Sequence, residues 1–360
     1  MKVLHVINSL DTGGAEKLLL ETIPIYNKKG IETDLLLLNG KNTPFLEILK
    51  NTNCGTIYSV GSVAYNPFNV FRIIPFLKKY DIAHVHLFPS QYWIVFAKIF
   101  SLSKIKLIVT EHSTTNPRIN NFFLSIIDRF IYKFYDRVVC ITEDVYEIIA
   151  KHLKQSKSKI VVIQNGVMLQ DIYDARPYAK NEVSGLFTNQ DILLIHIASF
   201  NKHKDQETVI KSLQYLPENI KLIFVGDGVL KENCENLAEQ LHLTKRVVFL
   251  GNRTDVPQLL KTADISVLST NGEGFSLVAI ESMASELPFV ASDVPGMINV
   301  KGAGILFEKG NADELAFFIK KLINEKDFYK STVASGKERA RQFDIEMMVE
   351  KHINLYKTII

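Results

Sequence analysis

The chain has 360 residues and a mass of 40.9 kDa, which exceeds a usual single domain, so we expect two domains of roughly 150 to 200 residues each. Hydrophobic residues make up 47% and charged residues 22% of the sequence, a balance that excludes a disordered chain, a collagen and a disulfide-rich scaffold. The formal net charge of +3 is uneven, because residues 1–170 hold 20 Lys and Arg against 13 Asp and Glu, whereas residues 171–360 hold 22 against 26.

This basic first half indicates an anionic partner, either a phospholipid surface or a phosphate-bearing acceptor, unless its lysines are simply solvated. The strongest apolar window, Tyr92–Thr110, is interrupted by three lysines, so we expect no membrane span. The apolar run Val3–Ile7 is too short for the core of a secretion signal, which predicts a cytoplasmic protein. The three cysteines, Cys54, Cys140 and Cys234, match neither metal-ligand spacing nor a disulfide framework, and we expect buried reduced thiols.

Short β-rich runs alternate with amphipathic segments along the chain, which predicts β-α units around parallel sheets. The first predicted set of strands is Lys2–Asn8, Glu32–Leu38, Thr56–Ser59, Ile82–Leu87, Lys106–Thr110, Arg137–Ile141 and Lys159–Ile163. After a polar stretch at residues 170–190, which we interpret as a linker, the second set is Ile192–Ala198, Lys221–Val225, Val247–Leu250, Ile265–Leu268, Phe289–Ala291 and Ile305–Phe307.

This order predicts two Rossmann-like, doubly wound α/β domains that face each other across a cleft, with ligands at the C-terminal ends of the strands. We place the domains at residues 1–168 and 169–343. A C-terminal helix at residues 344–360 is expected to pack back on the first domain. The active site is expected between the domains.

The first predicted strand leads through Gly13 and Gly14 into a helix predicted at Ala15–Lys29, which Gly30 closes as a C-cap. Paired glycines let backbone approach a ligand closely, and the helix N-terminus offers N–H groups to a phosphate. No G-x-G-x-x-G fingerprint is present, so no dinucleotide is implied. The alternative is a tight turn in which Glu16 complements the helix dipole.

Histidines occur within the fourth predicted strand of the first domain and just after the fifth. His112 stands at the C-terminal end of the fifth strand, where substrates bind, which favours a functional role over a loop histidine without one. His84 and His86 alternate with apolar residues, so we assign both to one face of the sheet as packed side chains.

The segment Asn120–Arg137 carries Phe122, Phe123, Ile126, Ile127, Phe130, Ile131 and Phe134 beside Arg129, Lys133 and Arg137. This pattern is typical of a helix lying at an anionic membrane interface. Core packing of an ordinary amphipathic helix gives the same spacing, and we favour that interpretation.

In the second domain, one strand leads through Ser199 to two lysines, Lys202 and Lys204. A lysine at this edge can neutralise a diphosphate, although surface lysines are common. A loop containing Gly226 follows the next strand and lies at the same sheet edge.

The most informative segment is residues 269–284, where a strand leads through Glu273 into an apolar helix that carries Glu281 eight residues later. The helix start near Ser276 offers N–H groups and a positive dipole end, which suit a diphosphate. Glu273 is suited to sugar hydroxyls and Glu281 to ribose hydroxyls. The alternative for Glu281 is a structural ion pair.

The spacing Glu-x7-Glu from Glu273 to Glu281, followed by residues 287–296, resembles the group 1 (family 4) glycosyltransferases, which are retaining, sugar-nucleotide-dependent enzymes of the GT-B fold. Supporting motifs in the family's order are Gly13-Gly14-Ala15-Glu16, Glu111-His112, Asn165-Gly166-Val167, Lys204-Asp205, Gly226-Asp227-Gly228, Arg253-Thr254-Asp255-Val256-Pro257 and Gly302-Ala303-Gly304.

The resemblance implies a role for each matching position. It places His112 against the transferred sugar, Glu273 on the donor sugar and Lys204 on the donor diphosphate, as the catalytic set. It places donor contacts at Gly13, Gly14, Ser199, Lys204, Gly226, Arg253, Gly274, Phe275, Ser276, Leu277, Val278 and Glu281. Ser199 stands where the family commonly has an arginine, which removes one positive charge at the diphosphate.

The resemblance implies transfer of a hexose-type sugar, with its configuration retained, to a hydroxyl of a glycan or lipid-linked acceptor in bacterial surface-polysaccharide synthesis. The first domain would bind the acceptor and the second the nucleotide sugar. The sequence contains no Asp-x-Asp, so we expect no metal, and the nucleotide sugar is the expected co-substrate without any further cofactor. We expect no nucleic-acid partner, and we expect a location in the cytoplasm or at the inner face of the membrane. The alternatives are a sugar-nucleotide epimerase and a catalytically weak nucleotide-sugar-binding subunit.

Overall fold

A computed structural model describes residues 1–113, 117–153, 157–297 and 300–360 of the chain. The chain forms two compact units. The first unit comprises Met1–Gly166 together with Ile345–Ile360, and the second comprises Val167–Asp344.

The first unit is built on a sheet of seven parallel strands in the order β3-β2-β1-β4-β5-β6-β7. The strands are β1 (Lys2–Ile7), β2 (Glu32–Leu37), β3 (Ile57–Ser59), β4 (Ile82–His86), β5 (Lys106–Glu111), β6 (Arg137–Cys140) and β7 (Ile160–Val162). The strand order reverses beside β1, whose His5 pairs in register with His84 of β4. In turn, His86 of β4 pairs with Thr110 of β5.

Seven helices connect these strands: α1 (Gly14–Lys28), α2 (Pro44–Asn51), α3 (Asn69–Ile73), α4 (Ser90–Ser101), α5 (Pro117–Asn120), α6 (Phe122–Tyr132) and α7 (Glu143–Leu153). Helix α1 ends as predicted, because Gly30 takes a left-handed conformation (φ +80°) and its N–H donates to the carbonyl of Asn27. The apolar faces of α1 and α2 pack with β1 and β2 in one core, which includes Ile7, Leu35 and Leu46.

The second unit contains six parallel strands in the order β10-β9-β8-β11-β12-β13. The strands are β8 (Ile192–Ile197), β9 (Ile220–Val225), β10 (Val247–Phe249), β11 (Ile265–Leu268), β12 (Phe289–Ser292) and β13 (Ile305–Phe307). The helices are α8 (Leu169–Asp174), α9 (Lys180–Val183), α10 (Gln206–Ser212), α11 (Lys231–Gln240), α12 (Val256–Thr262), α13 (Leu277–Ala284), α14 (Ala312–Asn324) and α15 (Lys326–Ala340).

The chain then returns to the first unit in helix α16 (Ile345–Lys357), which packs on α1. Tyr26 of α1 hydrogen-bonds His352 of α16 (2.7 Å between Oη and Nδ1), and Tyr356 of α16 hydrogen-bonds His84 of β4 (2.6 Å). Polar contacts as well as apolar packing therefore hold the end of the chain in the first unit.

The prediction of two parallel-sheet α/β domains is confirmed, and all thirteen predicted strands are present with ends within one residue of those predicted. The interpretation of residues 170–190 as a linker is wrong. Helices α8 and α9 occupy part of this stretch, and Leu169, Ile172 and Phe187 are buried in the second unit. These few apolar side chains suffice to fold a stretch whose average composition is polar.

The cysteine prediction holds for two of the three residues. Cys140 and Cys234 are buried, and burial raises the pKa of the Cys234 thiol to about 11. Cys54 is only half-buried, because it lies in the turn between α2 and β3. All three are free thiols.

Helix α6 contradicts the core-packing interpretation. Most of its large apolar side chains face solvent, with Phe122 74% and Phe123 75% exposed, and the same outer face carries Leu124, Ile126, Ile127 and Phe130. Its inner face combines the buried Ile131 and Tyr132 with Asp128, which is fully buried and accepts hydrogen bonds from Tyr92 (2.7 Å) and His152 (2.9 Å). The sequence period identified an apolar face but could not show which way that face points.

Within the described ranges of the chain, no helix is both long and apolar enough to cross a lipid bilayer.

Candidate active site

Lys204 and Glu273 form an ion pair at the C-terminal edge of the second sheet. Lys204 lies in the loop after β8 and Glu273 in the loop after β11, and these two strands are neighbours in the sheet. Both side chains are mostly buried, with 18% of Lys204 and 12% of Glu273 exposed. The structure therefore brings together two residues that the sequence placed on one diphosphate sugar.

The two loops are fixed to each other by further hydrogen bonds. The Asp205 carboxylate caps the start of α10 through the Thr208 N–H (3.3 Å) and accepts a second bond from the Ser269 hydroxyl (2.9 Å). The Asn271 N–H donates to the His203 carbonyl (2.8 Å). Lys204 is therefore held by its backbone as well as by its carboxylate partner.

The start of α13 lies directly after Glu273. Ser276 is the N-cap, and its hydroxyl accepts a hydrogen bond from the Ala279 N–H (3.2 Å). The first turn of a helix contains N–H groups without intrahelical partners, and this cap satisfies one of them. The backbone of Leu277 and Val278, the positions predicted to hold phosphate, forms that turn and follows the ion pair by a few residues.

Gly296 supports Glu273 from the neighbouring loop. Its φ is +90°, and a Cβ atom there would lie 2.0 Å from the carbonyl oxygen of Glu273. The Glu273 N–H also donates to the Pro295 carbonyl (3.2 Å). Only glycine permits this close approach of two backbones.

The other predicted donor contacts lie at different depths. Glu281 is buried on α13, where it has an interaction partner. Phe275 is also buried, and its ring lies 5.4 Å from that of Phe343. Ser199 is exposed, and its hydroxyl accepts a hydrogen bond from the Asn201 side chain (2.8 Å). Gly226 (φ +132°) packs against the carbonyl of Ala198, so its main visible role is to bring two loops together.

Arg253 pairs with Asp255 through two hydrogen bonds, from Nε (2.8 Å) and Nη2 (2.5 Å). The hydrogen bond from Arg253 holds the pKa of the Asp255 carboxyl down at about 2, assisted by one from Tyr178. The guanidinium group is thus held beside a carboxylate, and this pairing orients the loop that carries the predicted donor contact.

The Gly13-Gly14 turn of the first unit contains a carboxyl group at the start of α1. A Cβ atom on Gly13 would lie 2.2 Å from Oε2 of Glu16, so the Glu16 side chain folds back over the glycine. Burial raises the pKa of Glu16 to about 7, and nearby Asp11 adds to this. The sequence indicated only a dipole-complementing glutamate here and gave no sign of its burial.

His112 lies just after β5, as predicted, and is half-buried. Its Nε2 lies 3.1 Å from Nδ1 of His86, and burial lowers its pKa to about 4. The adjacent Glu111 is buried, where it accepts hydrogen bonds from Gln91 (2.7 Å) and Tyr132, and burial raises its pKa. His84 and His86 share one face of β4, as predicted, with ring centroids 4.5 Å apart.

Among the residues that the structure describes, one group could hold a metal ion: His5, His84 and His86, each with a ring nitrogen within 4.8 Å of the others. Both nitrogens of His84 already have hydrogen-bond partners, the hydroxyls of Tyr356 (2.6 Å) and Thr110 (2.7 Å). The sequence did not reveal this group, because His5 is far from His84 and His86 along the chain.

Comparisons with known proteins show which family the chain resembles. The family model described as "Glycosyl transferases group 1" matches residues 179–339, and the model of "Glycosyltransferase Family 4" matches residues 12–171. The N-acetyl-alpha-D-glucosaminyl L-malate synthase of Bacillus anthracis is 26% identical over 329 residues, which cover 83% of each chain.

A second relative is the N-acetylgalactosamine-N,N'-diacetylbacillosaminyl-diphospho-undecaprenol 4-alpha-N-acetylgalactosaminyltransferase of Campylobacter jejuni, which is 25% identical over 365 residues and 94% of each chain. The crystal structure of Anabaena HepE in complex with UDP and glucose is similar over 100% of both chains, with a TM-score of 0.85 and 19% identity. This last likeness concerns the fold.

Proposed function

The chain belongs to the group 1, family 4 glycosyltransferases, and from that premise we propose that it transfers a hexose-type sugar from a nucleoside diphosphate sugar to a hydroxyl group, with retention of configuration. The observation that carries the proposal is the Lys204–Glu273 pair beside the start of α13. A cation, a carboxylate and a helix N-terminus within one loop system are suited to a diphosphate joined to a sugar.

The donor would rearrange this pair. Without donor, Glu273 neutralises Lys204. With donor bound, the diphosphate becomes the counter-ion of the lysine, and Glu273 accepts hydrogen bonds from sugar hydroxyls. Lys204 and the first turn of α13 then stabilise the negative charge that develops on the departing phosphate.

We propose transfer on one face of the sugar as the route to retention. A double displacement needs an enzymic nucleophile at the anomeric carbon, and no residue is assigned that role. In the proposed step, the acceptor oxygen forms its bond to the anomeric carbon on the face from which the diphosphate departs. The acceptor's proton passes to the departing phosphate oxygen, so charge and atoms balance without a further reactant.

We propose that the reaction needs no divalent metal. A cationic side chain and a helix N-terminus already supply the positive charge that a metal gives to a diphosphate in other glycosyltransferases. The sequence contains no Asp-x-Asp to hold such a metal.

For the acceptor we propose a lipid-linked glycan, presented to the first unit at an anionic membrane surface. The Campylobacter jejuni relative is named for a diphospho-undecaprenol-linked acceptor. The outer face of α6 supports membrane contact, since Phe122, Phe123, Ile126, Ile127 and Phe130 are exposed together, and Lys133 is exposed at the end of the helix. The first unit holds 22 Lys and Arg against 15 Asp and Glu, which complements anionic lipid.

The transferase proposal is tested by incubating the purified chain with a panel of nucleoside diphosphate hexoses and simple glycan or lipid-diphosphate acceptors, with and without EDTA. We expect one donor to be consumed, with a product of unchanged anomeric configuration by NMR and equal rates with EDTA. Epimerisation of a donor without acceptor would instead show an epimerase. Tight nucleotide binding without turnover across the panel would show a binding subunit, consistent with Ser199 in place of the arginine.

Membrane contact is tested by flotation with phosphatidylglycerol vesicles and with phosphatidylcholine vesicles. We expect binding to the anionic vesicles that weakens at high salt, and at least about tenfold weaker binding when Phe122, Phe123 and Phe130 are all changed to Ser. Phe317→Ser, an exposed phenylalanine of the second unit, is the matched control. Equal flotation of the triple variant and the native chain would exclude α6 as the contact.

A further inference from the structure

Three histidines of the first unit form a chain of hydrogen bonds that ends at His112, the histidine predicted to be catalytic. Nε2 of His112 lies 3.1 Å from Nδ1 of His86, and Nε2 of His86 lies 3.1 Å from Nδ1 of His5. In the parallel register His5 pairs with His84 and His86 pairs with Thr110, so His86 and His112 each lie two residues beyond the position in register with the histidine before. His5 and His86 are buried. We refer to His5, His86 and His112 as the histidine chain.

Burial disfavours the charged form of all three rings. Burial lowers the pKa of His5 to about 3 and of His112 to about 4, and it lowers the pKa of His86 well below its usual value. A neutral imidazole has one N–H donor and one acceptor nitrogen. Because His86 is bonded through both nitrogens, one bond must be donated and the other accepted, so the two bonds of the chain run in the same direction.

The inner end of the histidine chain, at His5, decides that direction. Nε2 of His5 is buried and has no hydrogen-bond partner in the described part of the protein. If the bonds ran from His112 inward, this nitrogen would carry a buried N–H without an acceptor, and such orphaned donors are rare. If they run outward, Nε2 of His5 is a bare acceptor nitrogen, which is less unfavourable.

We infer that His86 and His5 are positioning residues that hold His112 in the tautomer with its proton on Nδ1, so that His112 acts on the substrate as a hydrogen-bond donor and not as a base. The order is His5 Nδ1–H to His86 Nε2, then His86 Nδ1–H to His112 Nε2. The identity of the group that accepts the hydrogen bond from His112, a hydroxyl of the transferred sugar, rests on the proposed function. The tautomer itself does not.

Two other buried histidines lie close to the histidine chain, His84 and His352, and both bond to other partners. His84 bonds Tyr356 and Thr110, and His352 bonds Tyr26, so neither ring competes for the nitrogens of the histidine chain. His352 therefore offers a matched control, being a buried histidine of the same cluster that lies outside the chain.

The first test is long-range ¹H–¹⁵N NMR on the full chain labelled with ¹⁵N-histidine, which distinguishes protonated from bare ring nitrogens. We expect a protonated Nδ1 and a bare Nε2 on His112. A protonated Nε2 on His112 would overturn the inference. Ring shifts typical of a metal ligand, with stoichiometric zinc in the purified chain, would also overturn it.

The second test compares variants at position 86. His86→Phe removes both bonds, and we expect the His112 tautomer to become mixed and kcat to fall about tenfold, with the donor KM changed less than about twofold. His86→Asn keeps an amide donor near the position of Nδ1, so it should retain the tautomer and most of kcat. His352→Leu should leave both unchanged.

The outcomes separate the two proposals. If the native chain transfers no sugar from any donor, the proposed function fails while the NMR result still decides the tautomer. If transfer occurs and His86→Phe leaves the tautomer of His112 unaltered, the histidine chain has no positioning role. A His86→Phe chain that does not fold leaves the NMR measurement on the native chain and the Asn variant to decide.

Discussion

Removing the positive charge of Lys204 should affect folding and transfer in ways that a double-variant cycle separates. Lys204→Met leaves Glu273 without its cation in a position where only 12% of the carboxylate side chain is exposed. Breaking a fully buried ion pair costs about 3 to 5 kcal/mol, and partial exposure together with the other contacts of Glu273 reduces this, so we expect a loss of about 2 kcal/mol in the free energy of unfolding. Glu273→Gln in the same chain should restore about 1 to 2 kcal/mol of it.

Transfer should not recover in the double variant. The lysine is proposed to stabilise charge on the departing diphosphate, and loss of such a group lowers kcat by about 100- to 1,000-fold. Urea unfolding measures the first effect and steady-state transfer the second. Lys211→Met removes a lysine from an exposed pair with Glu207 on α10 (3.1 Å) and should change the free energy of unfolding by less than about 1 kcal/mol. Recovery of both stability and transfer in the double variant would refute the assignment of Lys204 to the diphosphate.

Three further outcomes follow from single positions. Gly296→Ala should destabilise the second unit by about 2 kcal/mol or more in urea unfolding, because its Cβ would meet a backbone carbonyl at 2.0 Å. Gly302→Ala, which has open space around the added Cβ, should lower the free energy of unfolding by only about 1 kcal/mol. Equal losses in the two variants would contradict the steric argument. Because burial raises the pKa of Glu16 to about 7, the folded chain loses stability between pH 4.5 and 7 as this carboxyl is forced to ionise. Glu16→Gln should therefore be about 2 to 3 kcal/mol more stable than the native chain at pH 8 and equal to it near pH 4. A difference in stability that does not change with pH would exclude the burial argument. Asp128→Ala should cost about 3 kcal/mol or more, because it removes the buried acceptor of Tyr92 and His152 and an ion-pair partner of Arg118. An unfolding midpoint within error of the native one would show that the inner face of α6 is not held by this network.

The sequence was sufficient for the sheets, because each strand is a short apolar run bounded by turn residues and parallel topology follows from the alternation with helices. It was also sufficient to place Lys204 and Glu273 together. Each follows a strand, and strand ends of a parallel sheet lie along one edge.

Other features depend on contacts that no local pattern encodes. The period of residues 122–130 identified an apolar stripe on α6, but the buried partners of Asp128 turn that stripe outward. The pairing of His5 with His86 joins residues 81 positions apart, and its direction depends on one unpartnered nitrogen. Burial of Glu16 depends on the fold of the glycine turn, which the sequence left open between a ligand site and a simple turn.

The return of α16 to the first unit has a consequence for biosynthesis. On the ribosome, β1 and β4 are made early, but the hydroxyl of Tyr26 and Nδ1 of His84 obtain their partners only when residues 345–360 emerge, after the whole second unit has been synthesised. The second unit can therefore complete its own core first. The amino-terminal unit waits for the last helix, and until then it exposes a cluster of histidine and tyrosine rings that chaperones could recognise.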